Sequence, residues 1–498
     1  MNSPEASVAT PAAVPRIIPR SEHAISRSHI SANALRVLYR LRDAGFMAFL
    51  VGGCVRDLLL GIEPKDFDVA TDALPEEVKR LFRNSRLVGR RFRLAHVFFG
   101  REIIEVATFR AAGAPSQGEE PLADADPEDG EAPELDDAQL DADAPAAEEG
   151  AVLASARGAR AVDEDDDIER RFDATGRILR DNVYGTIDED VWRRDFTANA
   201  LYYNIGDFSI WDYVNGVRDI EARTLRLIGD PETRFREDPV RMLRAARFEA
   251  KLQFTIDPGT AGLMVGLREL LAGVPPARLF DETAKLFLTG HGAKSFEVLR
   301  RRGLLAALLP TVDAYFASHP GSLVEKLLVQ GLRNTDERVL ADKPVTPTFL
   351  FALLLYGPIA GLIEAAPPSR WHELTTILEA CDRATREAQA RVAIPKRFTL
   401  GVREMFALQP RLEHPRGRRA LRLLEHPRFR AAYDLLLLRA QFGLAPAQMA
   451  QWWTRLQEVA VEERGRMVDA LAGEAPRAPP AARRGGRRRR RRPGPAKT

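Results

Sequence analysis

Apolar and polar residues follow two different periods in the two halves of this chain. In the first half, short apolar runs of strand length, such as residues 49–51 and 103–108, alternate with turns and helical segments. From Glu237 to about Leu471 the apolar positions recur at helical spacing, in Leu-, Ala- and Arg-rich segments that glycine and proline interrupt. The pattern predicts an α+β fold, in which a head with a small mixed β-sheet precedes an all-helical neck and body.

The pair Gly52-Gly53 follows the first of these strands and precedes a predicted helix over residues 55–60. Glycine lets a backbone approach a ligand closely, because it has no side chain. Free N–H groups at a helix N-terminus favour a bound anion. We therefore predict that Gly52 and Gly53 form an anion-binding turn.

Carboxylates follow this turn in a strand-like run. Asp66 and Asp68 are two residues apart, which places them on one face, while Phe67 and Val69 point to the core. Glu105, in the run 103–108, is the third candidate acid. Mg²⁺ prefers oxygen ligands and retains phosphate oxygens in its shell, so acids beside a phosphate-binding turn predict a site for Mg²⁺ and a nucleoside triphosphate. The plain alternative is an ordinary turn beside a solvated strand face.

Composition narrows the class of protein. The chain has 498 residues, of which 45% are apolar and 29% charged, as expected for a globular protein of more than one domain. Two cysteines provide no disulfide framework and fit a reducing compartment. The N-terminal segment lacks the apolar core of a signal peptide, and no apolar run reaches membrane-spanning length. We predict a cytoplasmic protein with no membrane partner.

The net charge of +2 conceals a strong segregation of charge. Residues 111–167 are rich in Asp, Glu, Ala, Pro and Gly, which predicts a disordered acidic insertion. An alternative is that this insertion mimics RNA and competes for the protein's own basic surface. The chain ends with six consecutive arginines, Arg487 to Arg492, which predict a disordered tail that binds phosphate without sequence preference.

Three motifs together resemble one enzyme family. The stretch from Gly52 to Asp68 resembles the nucleotidyltransferase motif of class II tRNA CCA-adding enzymes and bacterial poly(A) polymerases. Residues 193–201 resemble the second motif of that family, and residues 237–248 resemble the motif that reads the incoming base. The resemblance implies a nucleotidyltransferase that adds nucleotides to RNA 3′ ends with two Mg²⁺ ions, and with ATP as substrate in a poly(A) polymerase.

The resemblance also implies roles for individual residues. The catalytic residues and metal ligands are Asp66, Asp68 and Glu105. The nucleotide-binding residues are Gly52, Gly53, Arg56, Asp57, Asp195, Asn199, Asp238 and Arg241. Asp57 orients Arg56 on the triphosphate, and Asp195 with Asn199 positions the ribose. Asp238 and Arg241, three apart on a predicted helix, offer an acceptor and donors to a base edge; an exposed ion pair is the alternative.

Two basic segments favour a poly(A) polymerase over a CCA-adding enzyme. The string from Leu87 to Val97, with Arg90, Arg91 and Arg93, resembles the poly(A) polymerases more closely, and so does the segment 391–442. We expect His96 in that string to be an ordinary strand residue. The predicted RNA-binding residues are Arg416, Arg418, Arg419, Arg422, Arg487, Arg488, Arg489 and Arg490. A catalytically silent RNA-binding protein is the third hypothesis, which the intact carboxylates disfavour.

The expected partners are RNA 3′ ends and ATP. The sequence does not identify protein partners, and the RNA-decay machinery is the candidate class. The predicted domains are a disordered N-terminal segment (1–28), a catalytic head (29–110 and 170–228), the acidic insertion (111–169), a helical neck (229–290), a helical body (291–472) and a disordered arginine-rich tail (473–498).

Overall fold

The computed structural model describes residues 14–89, 93–111, 171–172, 178–180 and 184–474. It forms two units. The first is drawn from Met1–Leu362 and Asp382–Thr399, and the second from Ile363–Cys381 and Leu400–Thr498. The predicted acidic insertion after Ala111 and the six tail arginines lie outside the described residues.

An eight-stranded mixed sheet lies at the centre of the first unit, in the order β1-β10-β9-β2-β3-β6-β5-β4. All neighbours in it are antiparallel except β3 and β6, which are parallel. Two further strand pairs, β7 with β8 and β11 with β12, stand apart from it. The strands are β1 (Arg16–Ile18), β2 (Ala48–Val51), β3 (Asp68–Thr71), β4 (Ser85–Val88), β5 (Leu94–Phe99), β6 (Glu102–Thr108), β7 (Arg171–Phe172), β8 (Ile178–Arg180), β9 (Leu201–Asn204), β10 (Ile210–Asp212), β11 (Thr224–Leu225) and β12 (Thr255–Ile256).

Helices pack against parts of the sheet and make up most of the rest. The helices between the strands are α1 (Ala32–Asp43), α2 (Gly53–Leu59), α3 (Pro75–Leu81), α4 (Ile187–Arg193), α5 (Gly216–Glu221), α6 (Pro231–Glu237) and α7 (Val240–Leu252). Those that follow in the first half of the helical region are α8 (Pro258–Leu267), α9 (Pro276–Phe287), α10 (Gly292–Arg301), α11 (Leu305–Leu308), α12 (Pro310–Ser318), α13 (Leu323–Leu340), α14 (Pro347–Leu354) and α15 (Tyr356–Glu364). The last are α16 (Leu374–Gln389), α17 (Lys396–Glu413), α18 (Arg419–Leu424), α19 (Phe429–Gln441), α20 (Ala447–Glu458) and α21 (Val461–Glu474).

The predicted class is confirmed, since a mixed-sheet head precedes a helical remainder. Only the two-residue strand β12 interrupts the helices beyond Glu237 in the described residues. Residues 14–28 differ from the prediction of disorder. β1 pairs with β10, and Ile18 and Ile25 are buried, because these isoleucines give the segment apolar surface to pack.

The two faces of the sheet are covered differently. Helices α1 and α3 pack against the face that carries Ile104 and Val106, both of which are buried. Ser31 caps α1 by accepting a hydrogen bond from the Ala34 backbone N–H. On the opposite face, Val191 of α4 packs with residues of β2, β3 and β9, including Val51, Ala70 and Tyr202. The same face continues across β6, β5 and β4, where Ile103 is 45% exposed.

The second unit has its own apolar core. Trp453 of α20 is fully buried among residues of α17 and α19, including Leu412, Phe429 and Leu436. The Trp453 indole N–H donates a hydrogen bond to the Leu412 carbonyl at 2.8 Å, so the ring is satisfied as well as packed. This core confirms the helical period that the sequence shows over these residues.

No single helix in the described residues is both long and apolar enough to cross a membrane. The bent pair α14 and α15, with an angle of 45° between its helices, reaches that length and composition only when its two members are taken together.

Gly216 tests the packing beside the second motif, and Gly262 is its matched control. A Cβ on Gly216 would lie 2.3 Å from the Thr197 carbonyl oxygen, whereas a Cβ on Gly262 meets nothing within 4 Å. We expect Gly216→Ala to destabilise the protein by about 1–3 kcal/mol, because backbone must move. Gly262→Ala, within exposed α8, should instead stabilise it by about 0.5–1 kcal/mol. Thermal unfolding of both variants measures this; equal shifts would contradict the described packing of Gly216.

Candidate active site

Gly52 forms a sharp turn between β2 and α2. Its φ of 79° and ψ of −134° belong to a region that only glycine adopts without strain. A Cβ at this position would lie 3.7 Å from Nη1 of Arg194 and 4.0 Å from Oδ2 of Asp68. The turn, a guanidinium and a carboxylate therefore surround one small space. The turn predicted from the sequence is confirmed, and its helix begins at Gly53.

The carboxylates come from two neighbouring strands. Asp68 is the first residue of β3 and lies directly opposite Glu105 of β6 in the parallel register. Asp66 precedes β3 and is exposed. Phe67 and Val69 are buried, as the alternation predicts.

Burial and mutual repulsion act on these acids together. Burial, together with repulsion from the nearby Asp66, raises the pKa of Asp68 to about 6 against the opposing effect of Arg194. Burial also raises the pKa of Glu105 to about 7, with added repulsion from Asp68 and Asp66. The site thus concentrates negative charge that a cation would neutralise.

The carboxylate oxygens of this site are the kind of ligand that Mg²⁺ prefers. Within the described ranges, no group of three or more His, Cys, Asp or Glu side chains is arranged to hold a metal ion by itself. Mg²⁺ is usually held by one or two carboxylates together with substrate phosphates, and not by a protein cage. Asp66, Asp68 and Glu105 provide only oxygen donors, and Asp68 lies beside the glycine turn. They fit a Mg²⁺ ion that a triphosphate shares.

Arg56 connects α2 to the second motif. Its guanidinium is 2% exposed. Nε and Nη2 donate to Oδ1 of Asp57 at 2.8 and 2.6 Å, and Nη1 donates to Oδ1 of Asn199 at 2.5 Å. The cation also lies 5.5 Å from the centre of the Phe248 ring. Asp57 is therefore next to Arg56 as expected, while contact of Arg56 with a triphosphate stays a prediction.

Asp195 connects the second motif to α7. Its carboxylate accepts hydrogen bonds from the Phe196 backbone N–H and from Nε of Arg244, both at 2.8 Å. Burial opposes ionisation here, but Arg244 outweighs it and lowers the pKa of Asp195. This carboxylate is consequently fixed and ionised; its contact with a ribose, like that of Asn199, stays a prediction.

The prediction that Asp238 and Arg241 lie on one helix is wrong. Asp238 lies between α6 and α7 with an extended backbone, so the pair does not share one helix face. Both residues are buried, at 7% and 1% exposure, which excludes an exposed ion pair. Oδ2 of Asp238 accepts a hydrogen bond from Arg278 at 2.7 Å. Nη1 of Arg241 donates to the Arg234 carbonyl at 2.6 Å.

Arg194 is a candidate functional residue that the sequence did not distinguish from its neighbour Arg193. Nε donates to the Tyr202 hydroxyl at 2.9 Å, and Nη2 donates to Oδ2 of Asp190 at 3.0 Å. These contacts hold Nη1 beside Gly52 and Asp68. The position in the second motif is the only sequence signal, and it does not show which of two adjacent arginines reaches the turn.

The predicted RNA-binding arginines divide into two sets. Those in the second unit lie before and within the short helix α18 and are all exposed: Arg416, Arg418, Arg419 and Arg422. Arg418 is 3.5 Å from Asp469 in an exposed ion pair that contributes little. Arg487 to Arg490, with Arg90 and Arg91, lie outside the described residues, whereas Arg93 donates to Glu76.

Three family models match the chain. The model described as the poly A polymerase head domain matches residues 48–226. The model described as the "probable RNA and SrmB-binding site of polymerase A" matches residues 253–316. The model described as the polymerase A arginine-rich C-terminus matches residues 369–493.

Individual relatives agree with these models. Poly(A) polymerase I of Salmonella typhi is 45% identical over 93% of this chain and 90% of its own length. The CCA-adding enzyme of Lactobacillus helveticus is 32% identical over 53% of this chain and 52% of its own length. Among solved structures, the Thermotoga maritima CCA-adding enzyme complexed with tRNA has a TM-score of 0.53 at 17% identity, covering 92% of this chain and 96% of that one. This last likeness concerns the fold alone.

A mixed sheet whose glycine turn stands beside paired carboxylates defines a nucleotidyltransferase. The motifs predicted from the sequence lie on this site. With nearly its full length matched at 45% identity, the chain belongs to the bacterial poly(A) polymerase I family and is a poly(A) polymerase.

Gly52→Ala tests the space at the turn. We expect the variant to lose at least tenfold in catalytic efficiency, because the added Cβ enters the space between Arg194 and Asp68 and the backbone is strained. Gly45→Ala is the matched control, since Gly45 also has a positive φ of 83° but no atom within 4 Å of its Cβ position. Primer extension and thermal unfolding separate the effects. Equal activity losses in both variants would mean that strain alone is responsible.

The exposed arginines of the second unit form a second test. We expect Arg→Gln at 416, 418, 419 and 422 to weaken RNA binding and to flatten the log–log salt slope by about 0.7 per lost phosphate contact. The matched control removes four exposed cations that already pair with a glutamate one turn away: Arg80, Lys294, Arg370 and Arg383. Fluorescence anisotropy with single-stranded RNA measures both slopes. An unchanged slope in the first variant would remove these arginines from the RNA contact.

Proposed function

We propose that this poly(A) polymerase transfers AMP from ATP to the 3′-hydroxyl of RNA while Asp66, Asp68 and Glu105 hold two Mg²⁺ ions. The observation that carries this proposal is the register of β3 and β6, which places Asp68 opposite Glu105 and beside the turn at Gly52. Oxygen donors on one side and a close backbone approach on the other suit a metal-bound triphosphate.

Different groups would act on the attacking RNA 3′-hydroxyl and on the triphosphate. When bound, the Mg²⁺ ions would activate the RNA 3′-hydroxyl and offset the charge on the departing pyrophosphate. Gly52 leaves room for phosphate oxygens. Arg194, oriented by Asp190 and Tyr202, would donate a charge-assisted hydrogen bond to them.

The positions of these groups support one arrangement of the two substrates around the reacting phosphorus. In a displacement at phosphorus, the attacking and leaving oxygens stand roughly in line on opposite sides. Gly52 and Arg194 lie on the β2 side of Asp68, whereas Glu105 lies on its β6 side. We therefore place the triphosphate on the β2 side and the RNA 3′-hydroxyl on the β6 side.

Asp238 and Arg241 are proposed to read the base. Adenine and cytosine each present an exocyclic amine beside a ring nitrogen acceptor, so a carboxylate and a guanidinium alone accept either base. Arg278 fixes Asp238, and the Arg234 carbonyl fixes Arg241, so both side chains have one orientation. A fixed pocket discriminates by size and by unsatisfied hydrogen bonds, which supports selection of ATP over CTP.

We place this activity in the cytoplasm, on RNA 3′ ends that the exposed arginines of the second unit bind. The match of residues 253–316 to a model whose description includes SrmB supports a protein partner as well as RNA. The predicted domain boundaries are retained as part of this proposal, except that residues 14–28 are assigned to the head, where β1 pairs with β10. CCA addition is the second candidate function, because the CCA-adding enzyme of Lactobacillus helveticus is 32% identical, although that match covers only 53% of this chain.

The carboxylates provide a direct test of the metal assignment. We expect Asp68→Asn and Glu105→Gln to abolish nucleotide transfer with little change in stability, because neutral amides are poorer Mg²⁺ ligands. Glu102→Gln is the matched control, since Glu102 lies on the opposite face of the same strand β6 and accepts a hydrogen bond from Asn33. Single-nucleotide extension with increasing Mg²⁺ measures the effect. Near-normal turnover in either site variant would refute the assignment.

The products decide between the two candidate functions. With an oligoribonucleotide that lacks tRNA shape, we expect long adenosine tails from ATP alone and little use of CTP. A CCA-adding enzyme must stop after three additions, whereas exposed arginines that contact phosphates do not measure RNA shape. Denaturing gels of reactions with ATP, CTP or both provide the readout. Addition of two cytidines and one adenosine to tRNA only would establish CCA addition instead.

A further inference from the structure

One row of side chains crosses four strands of the sheet at the carboxylate site. Asp68 of β3 lies opposite Glu105 of β6, Glu105 opposite His96 of β5, and His96 opposite Arg86 of β4. Directly paired residues project on the same face of a sheet. The row therefore extends from the reacting centre to the β4 edge of the sheet.

A second pair of side chains on this face lies beside the row. Ile103 of β6 lies directly opposite Phe98 of β5. Ile103 is two residues from Glu105 along β6, and Phe98 is two residues from His96 along β5. The rings of His96 and Phe98 meet edge to face at 6.4 Å. We call Ile103, Phe98, His96 and Arg86 the β4–β6 face.

The β4–β6 face is open, whereas the same face of the sheet is covered over β2, β3 and β9. Along β6, Ile104 and Val106 are buried on the opposite face, whereas Ile103 is 45% exposed. Arg86 is exposed, and His96 and Phe98 are partly exposed. An open surface with two rings, an aliphatic side chain and a cation is typical of platforms that bind unpaired nucleotides by stacking.

We propose that the β4–β6 face binds the unpaired 3′-terminal nucleotides of the RNA substrate. The proposal rests on the proposed function, which places the RNA 3′-hydroxyl on the β6 side of Asp68. The face begins at that point and continues away from the triphosphate, so it meets the RNA strand directly behind its terminal hydroxyl.

The dimensions and the charge of this face suit that ligand. Glu105 and Arg86 are two strand spacings apart, roughly 10 Å. This span accommodates a terminal nucleotide and the phosphate that precedes it. His96, Phe98 and Ile103 offer surface to a base without reading its identity, and Arg86 offers its guanidinium to a phosphate. Any RNA 3′ end can use such a face.

The first test compares Arg86, on the β4–β6 face, with Arg80, on the helix α3 that packs on the other face of these strands. Arg86→Glu should raise the KM for an RNA with an unpaired 3′ end by about five- to tenfold, and His96→Ala should do the same through lost stacking. The KM for ATP should stay unchanged. Arg80→Glu carries the same charge reversal on α3, which packs on the other face, and should leave both constants unchanged.

A second substitution at position 96 distinguishes a stacking role of His96 from a role in supporting the fold. His96→Phe retains a ring and should restore the KM for RNA to near the wild-type value, whereas a purely structural role of the imidazole would leave it impaired. With a blunt RNA hairpin as primer, the variants should differ little from wild type, because a paired terminal base cannot stack on the face.

Photocrosslinking tests the unmodified protein and does not depend on any variant folding. RNA with 4-thiouridine as its 3′-terminal nucleotide should crosslink to the strands β4 to β6. Crosslinks confined to other elements, or equal KM values for RNA in Arg86→Glu and Arg80→Glu, would overturn the proposal. If wild type extends no RNA with ATP, the proposed function itself fails, which is a different outcome from extension with an unaffected KM.

Discussion

The parallel pairing of β3 and β6 is the constraint on which the site depends. It brings Asp68 level with Glu105, although 36 residues separate them in the chain, and the antiparallel pairs on either side extend the alignment to the glycine turn and to His96. The buried residues Ile104 and Val106 fix this register, since a slip of one residue would turn them to the open face and Glu105 to the core. Burial of apolar residues on one face of the sheet thus holds together the carboxylates on the opposite face, although these carboxylates repel each other.

Buried and partly buried arginines connect the sheet to the helices. Arg56 joins α2 to Asn199, Arg244 joins α7 to Asp195, and Arg278 joins α9 to Asp238. Removing a charged pair from water offsets most of its attraction, so such pairs add little net stability while an unpaired member is costly. Their value here is geometric, because each fixes the orientation of a polar side chain in one of the motifs. A rigid set of partners is what a pocket selective for one base requires.

The fold and the activity are separable in this family. The Thermotoga maritima CCA-adding enzyme has a similar fold at 17% identity, and a shared fold does not by itself determine the activity. The match to poly(A) polymerase I of Salmonella typhi extends over 93% of this chain, whereas the match to the CCA-adding enzyme of Lactobacillus helveticus covers 53%. The exposed arginines of the second unit lie within the segment that matches the polymerase A arginine-rich C-terminus.

The sequence alone determined what depends on near neighbours. The glycine turn, the alternation that buries Phe67 and Val69 beside Asp68, and the helical period of the second half all follow from local spacing, and the structure has them. Glu105 was predictable as a third acid because a strand-like run carried one carboxylate.

Only the tertiary structure decided which distant residues meet. Arg56 and Asn199 are 143 positions apart, Arg194 reaches the turn while Arg193 does not, and Asp238 precedes the helix on which the spacing placed it. The row from Asp68 to Arg86 likewise depends on strand order. Periodicity specifies the face on which a side chain lies, but strand order and packing of the core specify what stands opposite it.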